Sequence, residues 1–381
     1  ALARMNPAFE DAHTLLLPAS ANAGKAQNLH AFPLKVRLNS RDELVVQGNW
    51  STQEGHDKIS SGALVKQING QATSRLLDDL ELYGHGETEE LRRHMLGVMF
   101  PSWLSAVKGW SDTFRLEIEQ DGSRRSVLIS AGDSWTSDAL ASQAEAPSLR
   151  DLGGGTWLLD LPTFDVDDDP ASYRTAIDKA FSTLRDAKAS GLILDVRGNT
   201  GGQSDAGAQV IRFLADKPIN QVSRARERLN QGNRGIFGYK GRVGDMREMD
   251  LSRDGLIKPA PKSERFNGNV VLLVDAMTYS AGILFATTLQ DHGLAVLVGR
   301  PTGGFANQTG NMESITLPNT GLEAFIPARI FVRPNGDDRL APVIPDILNP
   351  LGEAAGDADL RAAMEHIRNR RMRPGRRNTD G

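Results

Sequence analysis

The alternation of apolar and polar positions divides the chain into an N-terminal segment, a mixed middle and a longer C-terminal part, with no internal repeat. In FPLKVRLNSRDELVV two alternating runs flank a polar SRDE turn, which predicts a β-hairpin. SSGALVKQINGQAT reads as a strand entering a tight turn at Asn69 and Gly70, and SRLLDDLELY has helical spacing. FRLEIEQDGSRRSVLIS reads as a second hairpin through Asp121 and Gly122. These elements predict a small α+β module over 41–132, preceded by a segment 1–40 and closed by the small, polar linker DSWTSDALASQAEAPS.

Beyond Leu152 strands alternate with helices, the pattern of a mainly parallel sheet with crossover helices, so 133–357 is expected to form an α/β core. TWLLDLPTF is a buried strand. Asp169 and Pro170 read as an N-cap and first-turn proline, after which Tyr173, Ile177, Phe181 and Leu184 share a helical face. The strand LILDV, a glycine turn, a helix around AGAQVIRFLAD, the strand VVLLVD, a helix from about Ser280 and the strand LAVLVG follow. SITLP and LEAFIPARIFV flank Asn319 and Gly321 as a terminal hairpin. Leu360, Met364 and Ile367 mark a last helix, which with a basic tail fills 358–381.

The 381 residues are enough for two or three domains and a sizeable core. There is no cysteine, which excludes disulfides, zinc-thiolate sites and thiol catalysis and leaves an oxygen or an amine as any nucleophile. A net charge of -4 gives no general reason to bind nucleic acid or an anionic membrane; the C-terminal run RNRRMRPGRR reads as a solvated end. No stretch reaches the roughly 18 apolar residues of a spanning helix. The first residues, ALARMNPAFED, lack a signal peptide's apolar core; a start without methionine leaves room for an upstream targeting segment, so the compartment stays open.

In an open α/β sheet ligands bind beyond the carboxyl ends of the strands, and three loops there have unusual composition. DVRGNTGG (195–202) has glycines that let the backbone approach a ligand and turn N–H groups toward it, as a plain tight turn also does. In VDAMTYSAG, Ser280 sits where a buried strand turns into a helix, a place that exposes a hydroxyl beside a helix N-terminus and that also suits an ordinary N-cap. GRPTGGF (299–305) is again glycine-rich and polar.

Together, and in this order, DVRGNTGG, TYSA and GRPTGG resemble the D-x-R-x-N-x-G-G, T-x-S-A and G-x-x-T-x-G motifs of the C-terminal processing, or tail-specific, serine peptidases and of the tricorn protease core. The resemblance covers about 155–350. It implies an α/β fold with a crotonase/ClpP-like catalytic core, Ser280 as nucleophile, and an oxyanion hole from the backbone N–H groups of Gly202 and Ala281. Gly201, Thr302, Gly303, Gly304 and Phe305 are then expected to line the substrate site. No metal or organic cofactor is required.

A serine hydroxyl needs a base. In the bacterial processing branch it is a lysine in T-x-G-K; here the corresponding stretch is Thr302, Gly303, Gly304, Phe305, and phenylalanine accepts no proton. The tricorn-like branch uses a histidine, marked in many relatives by D-x-H-T, and Asp11, Ala12, His13, Thr14 match it. His13 is therefore the expected base, suited by an imidazole pKa of about 6.5. Tricorn's serine before the histidine is replaced by Ala12, so a four-residue tetrad does not carry over. His30, His56, His85, His94 and His366 match no motif, and His292 lies at the far end of the Ser280 helix. By the same resemblance the orienting acid falls in DDRLAPVIPDI, as Asp337 or Asp338, with Asp338 fitting the separation from Ser280 better.

The middle module resembles a degenerate PDZ-like domain inserted before the core, with ALVKQINGQ as its matching segment; such domains add extended peptide to a sheet edge. The reading is thus an endopeptidase acting on unfolded proteins or peptides through an acyl-enzyme, in the family's periplasmic or secreted setting, with no nucleic-acid partner. A non-catalytic binder of apolar ligands, like interphotoreceptor retinoid-binding protein, is the second class, and a crotonase-like acyl-CoA enzyme the third. Serine, histidine and both glycine turns occurring together favour the peptidase.

Overall fold

The computed structural model describes residues 2–17, 32–39, 41–51, 57–130, 146–234, 241–253, 255–349 and 357–372. They fall into two compact units, Ala1–Ala144 with Thr309–Arg329, and Glu145–Gln308 with Ile330–Gly381. Most of the linker read in the sequence, and the tail from 373, lie outside the described residues. Among the described residues no helix is long and apolar enough to cross a membrane.

The second unit carries the alternation read beyond Leu152. Its six-stranded sheet runs in the order Ser148–Asp151, Thr156–Asp160, Gly191–Asp195, Asn269–Val274, Val296–Gly299 and Ile347–Leu348. The first pair is antiparallel and every other pair parallel. The central strands are near-continuous apolar runs because both faces are covered; Leu192, Ile193, Leu194 and Val271 to Val274 are all fully buried. Helix Pro170–Asp186 starts as its sequence predicts. The Asp169 side chain accepts from Ser172 N at 3.0 Å, and Tyr173, Ile177, Phe181 and Leu184 are buried.

Helix Ala358–Met372 lays Ala363 and Ile367 against Leu158, Ile193, Val271, Leu273 and Val298, with Leu360 partly buried beside them. Met364, expected on that face, is 36% exposed. Leu360, Ala363 and Ile367 form the tighter stripe at 3.6 residues per turn, and Met364 falls at its edge.

In the first unit, five antiparallel strands run in the order Val36–Leu38, Leu44–Val46, Leu64–Ile68, Thr113–Gln120 and Ser123–Ser130. Both tight turns form where the sequence places them, with positive φ at Asn69 and Gly70 and at Asp121 and Gly122. Helix Thr73–Glu81 was predicted; Glu89–Val98 and Phe100–Lys108 were not, although Thr88 caps the former by accepting from Leu91 N at 3.2 Å. Phe32 meets Phe100 and Phe114 edge to face in its core. Strand Leu15–Leu17 pairs with residues 323–325, and fully buried Asn6 fastens it by bonding both Leu16 N and Leu16 O.

The Ser280 helix, Ala281–Asp291, is buried on nearly every side, so its start is held by the core rather than by solvent-facing polar groups. The hydroxyls of Thr287 and Thr288 donate back to Ile283 O and Leu284 O, which lets them sit inside apolar surroundings. Phe285 is fully buried and meets Phe164 edge to face at 5.3 Å. Phe285→Ala should therefore lower the unfolding free energy by about 3–5 kcal/mol in urea melts.

Candidate active site

Ser280 links strand Asn269–Val274 to its helix with φ 51° and ψ -119°. A left-handed backbone at a residue with a side chain costs about 1–3 kcal/mol and persists only where the surroundings impose it. Ser280 occupies the N-cap position, yet its side chain makes no capping hydrogen bond, so the ordinary role of a serine at a helix start does not explain it. Its carbonyl accepts from Ile283 N at 2.9 Å, Leu284 N at 3.1 Å and Gln308 Nε2 at 2.8 Å.

The residues before it are tied to the first glycine loop. Asp275 Oδ1 accepts from Gly198 N at 3.0 Å, Met277 N at 2.9 Å and Thr278 N at 3.0 Å, and the Thr278 hydroxyl donates to Val196 O at 2.9 Å. Tyr279 N donates to Asn199 O at 2.9 Å. Fully buried Asn199 holds the loop from within, donating to Leu161 O and accepting from Gly201 N, both at 2.8 Å. Arg197 pairs with Asp195 and with Asp357 at the start of the last helix, and these carboxylates raise its pKa against the opposing effect of burial.

Two of these glycines are sterically required. Gly201 has φ 104°, and a Cβ there would lie 2.6 Å from Ser280 Cβ and 2.9 Å from Ala281 N. Gly202 has φ 128°, and its Cβ would lie 2.2 Å from backbone atoms of Phe164 and Asp165. The bare backbone of 201 thus lies against Ser280 and Ala281, while Gly202 is exposed.

The second glycine loop braces the same turn. Thr302, 1% exposed, donates its hydroxyl to Gly304 O at 2.8 Å and accepts from Val343 N at 2.9 Å. Gly303 N donates to Ala276 O at 3.1 Å, and Gly304 is close enough to Tyr279 that a Cβ would lie 2.5 Å from its ring. The Thr302 hydroxyl is occupied by its own loop. Phe305, of the expected lining residues in this loop, is the one left half-buried.

In the first unit, buried His13 has Nδ1 3.2 Å from Thr309 Oγ1, and the Thr309 hydroxyl donates to Asp11 Oδ1 at 2.7 Å. Since the hydroxyl proton goes to Asp11, Thr309 Oγ1 accepts from Nδ1–H, which leaves the imidazole lone pair on Nε2. Asp11 also accepts from His13 N at 3.0 Å and from the Thr14 hydroxyl at 2.5 Å. Burial lowers the His13 pKa from its ordinary value and the nearby Asp11 charge opposes the shift. Asp338, expected as the orienting acid, has a carboxylate 60% exposed and paired with Arg224 at 3.1 Å, and Asp337 is paired with Arg339.

Of the other histidines, His292 Nε2 lies 2.9 Å from Asn220 O, a packing role, and His94 lies 3.9 Å from Glu90. His366 sits half-buried on the last helix, its pKa lowered by burial and then by Arg370. His30 and His56 lie outside the described residues. Sequence reasoning did not single out Gln308 or Thr309, which carry no motif.

A family profile described as Peptidase family S41 matches residues 156–348, just over half of the 381 residues. A tail-specific protease of Haemophilus influenzae is 23% identical over 273 residues, 70% of this chain and 34% of that protein. A carboxyl-terminal-processing protease of a Picosynechococcus species is 31% identical over 134 residues, 35% of this chain and 26% of that protein. The chain therefore spans about a third or less of the curated relatives it matches. Among solved structures, mature CPAF complexed with lactacystin aligns with a TM-score of 0.62 at 16% identity, covering 97% of this chain and 86% of that one. A putative S41 protease from Bacteroides fragilis aligns with a TM-score of 0.51 at 14% identity, covering 95% and 87%. At these identities the likeness is one of mixed α/β fold.

His85 supplies a stability prediction. It is 5% exposed, no partner among the described residues reaches its Nδ1, and burial, reinforced by His13 and opposed by Asp11, pushes its pKa down to about 4. The unfolded imidazole binds a proton near 6.5 and the folded one only near 4, so between these values the unfolded state takes up more protons. Stability is expected to be full above about pH 6.5 and to fall as pH drops toward 4, by a His85 share on the order of 3 kcal/mol. In melts across that range, His85→Gln should flatten the decline.

Proposed function

The chain belongs to peptidase family S41, and from that membership we propose that it is a serine peptidase of the C-terminal processing type, with Ser280 as nucleophile and His13 as base. The observation that carries this reading is the left-handed Ser280, placed at a helix start without capping it and packed against a glycine that tolerates no side chain. Such a turn holds a hydroxyl away from the sheet while the adjoining backbone N–H groups converge near it.

In the proposed reaction His13 Nε2 takes the Ser280 hydroxyl proton as the oxygen attacks a peptide carbonyl carbon. Negative charge develops on the carbonyl oxygen, where the N–H groups of Gly202 and Ala281 and the positive end of the Ser280 helix stabilise it. His13 returns the proton to the leaving amine, and water, deprotonated by the same nitrogen, releases the acyl group. Thr309 and Asp11 orient the base: the Thr309 hydroxyl accepts from Nδ1 and is itself fixed by Asp11. We assign them the part that the sequence pattern gave to Asp338, whose carboxylate pairs with Arg224. Thr309, which holds His13, directly follows Gln308, which holds the Ser280 carbonyl.

The finer family reading rests on Asp11 to Thr14 and on Phe305 at the lysine position, which favour a tricorn-like branch with a histidine base. On that reading the α/β unit is a crotonase/ClpP-like core and 41–132 a PDZ-like insert. Unfolded protein or peptide is the substrate, Phe305 is an apolar wall of its site, and the setting is periplasmic or secreted. A purely binding role would need neither a neutral buried imidazole nor a strained serine.

Casein hydrolysis tests the assignment. Ser280→Ala should lose about 10³-fold or more in kcat/KM with an unchanged melting temperature, whereas unchanged turnover would exclude Ser280. His13→Ala should lose a comparable factor. The acid limb of kcat/KM in the wild type should lie below the free-imidazole value of about 6.5, because burial disfavours the imidazolium. Asp11→Asn should move that limb lower still, since the Asp11 charge is what raises the His13 pKa. Thr309→Val, which removes the acceptor for Nδ1–H, should cost roughly 10- to 100-fold without moving KM.

A further inference from the structure

Gln308 opens strand Gln308–Thr316 and is 3% exposed. Its Nε2 donates to the Ser280 carbonyl at 2.8 Å, while its Oε1 is buried and meets no donor among the described residues. One half of the amide is satisfied and the other is not. An orphaned buried acceptor costs stability that an apolar side chain of the same shape would not, so folding alone is a poor reason for this glutamine.

What the amide grips is a single peptide plane. A trans peptide is flat, with C=O and N–H pointing in opposite directions, so whatever fixes the direction of Ser280 O also fixes that of Ala281 N–H. Ala281 is the first residue of its helix, and its N–H has no acceptor within that helix. Gly201 approaches that nitrogen so closely that a Cβ would lie 2.9 Å away. Ile283 N and Leu284 N pull the carbonyl along the helix, and Gln308 adds the donor that comes from outside it. The left-handed backbone at Ser280 makes this restraint matter, because a strained turn relaxes by rotating the adjoining plane. Donation to a carbonyl also draws electron density from its amide nitrogen, which strengthens the N–H as a donor.

We propose that Gln308 is the positioning residue of the oxyanion hole, its side-chain amide aiming and polarising the Ala281 N–H toward the oxygen that becomes negative when Ser280 attacks. The assignment rests on Ser280 as nucleophile. Gln308 need not touch substrate, so its contribution belongs to the transition state and not to binding.

Full-length Gln308→Met and Gln308→Glu, with Ser280→Ala as reference, test this using a fluorophosphonate probe under saturating kinetics, casein turnover and thermal melting. Methionine has the length of glutamine without the donor or the orphaned oxygen. Gln308→Met should melt no lower than the wild type and keep KI and KM within about twofold, while the maximal phosphonylation rate and kcat fall roughly 10- to 100-fold. In Gln308→Glu the carboxylate repels the Ser280 carbonyl and the protonated acid donates to it. Its activity relative to the wild type at the same pH should therefore rise as pH falls from about 7.5 to 5.5. Wild-type rates in Gln308→Met, or losses that track a lower melting temperature with KI and KM changing in parallel, would overturn the proposal, as would a flat pH ratio in Gln308→Glu. Labelling of Ser280→Ala would instead defeat the nucleophile assignment. A silent Ser280→Ala beside a fully reactive Gln308→Met would defeat the Gln308 assignment alone.

Discussion

The backbone of Ser280 stands in a conformation that residues with a side chain avoid, and the packing around it is arranged to keep it there. The serine follows a strand buried on both faces and precedes a helix whose residues are almost all inside, so neither end of the turn is able to relax. Asp275 gathers amide groups from the first glycine loop and from the turn that leads to Ser280, Asn199 fixes the glycine turn from within, and the loop around Thr302 braces Tyr279. Gly201 and Gly202 follow from the same constraint. A backbone that must lie against Ser280 and against Phe164 has room for no Cβ.

The second physical element is the proton inventory around His13. A hydroxyl has one proton, and the Thr309 hydroxyl gives it to Asp11, so its oxygen receives the Nδ1–H. That arrangement sets the tautomer without a direct carboxylate contact, the Nδ1 to Asp11 distance being 3.9 Å. Burial keeps the ring neutral near pH 7, the state in which a base is useful, and Asp11 prevents the shift from going further. Asp338 stands elsewhere in the chain with its carboxylate 60% exposed and paired with Arg224.

What the sequence reveals and what it hides follows from how local each cause is. The parallel strands are legible because burial on two faces demands unbroken runs such as VVLLV, and the primed turns because Asn69-Gly70 and Asp121-Gly122 accept positive φ. Ser280 and the glycines are legible because one sharp turn dictates them all. Gln308 and Thr309 are not, since an amide and a hydroxyl have no periodic signature and Thr309 meets His13 across a separation of 296 residues. The link from His13 to Asp11 is hidden for the same reason: Asp11 stands two residues away in the motif, and only the folded chain shows that Thr309 lies between them. Glu89–Val98 and Phe100–Lys108 escaped because Met99 and Pro101 interrupt their periodicity, and the last helix turned on a small residue, Ala363, in place of Met364.

The account centres on one oxygen atom made nucleophilic by its backbone and by a neutral histidine. Peptide mapping by mass spectrometry after treatment of the full chain with a fluorophosphonate tests it most directly. The account predicts one adduct per chain, carried by Ser280 and lost in a His13→Ala protein treated identically. Absence of an adduct on the wild type, or an adduct on a different serine, would contradict it.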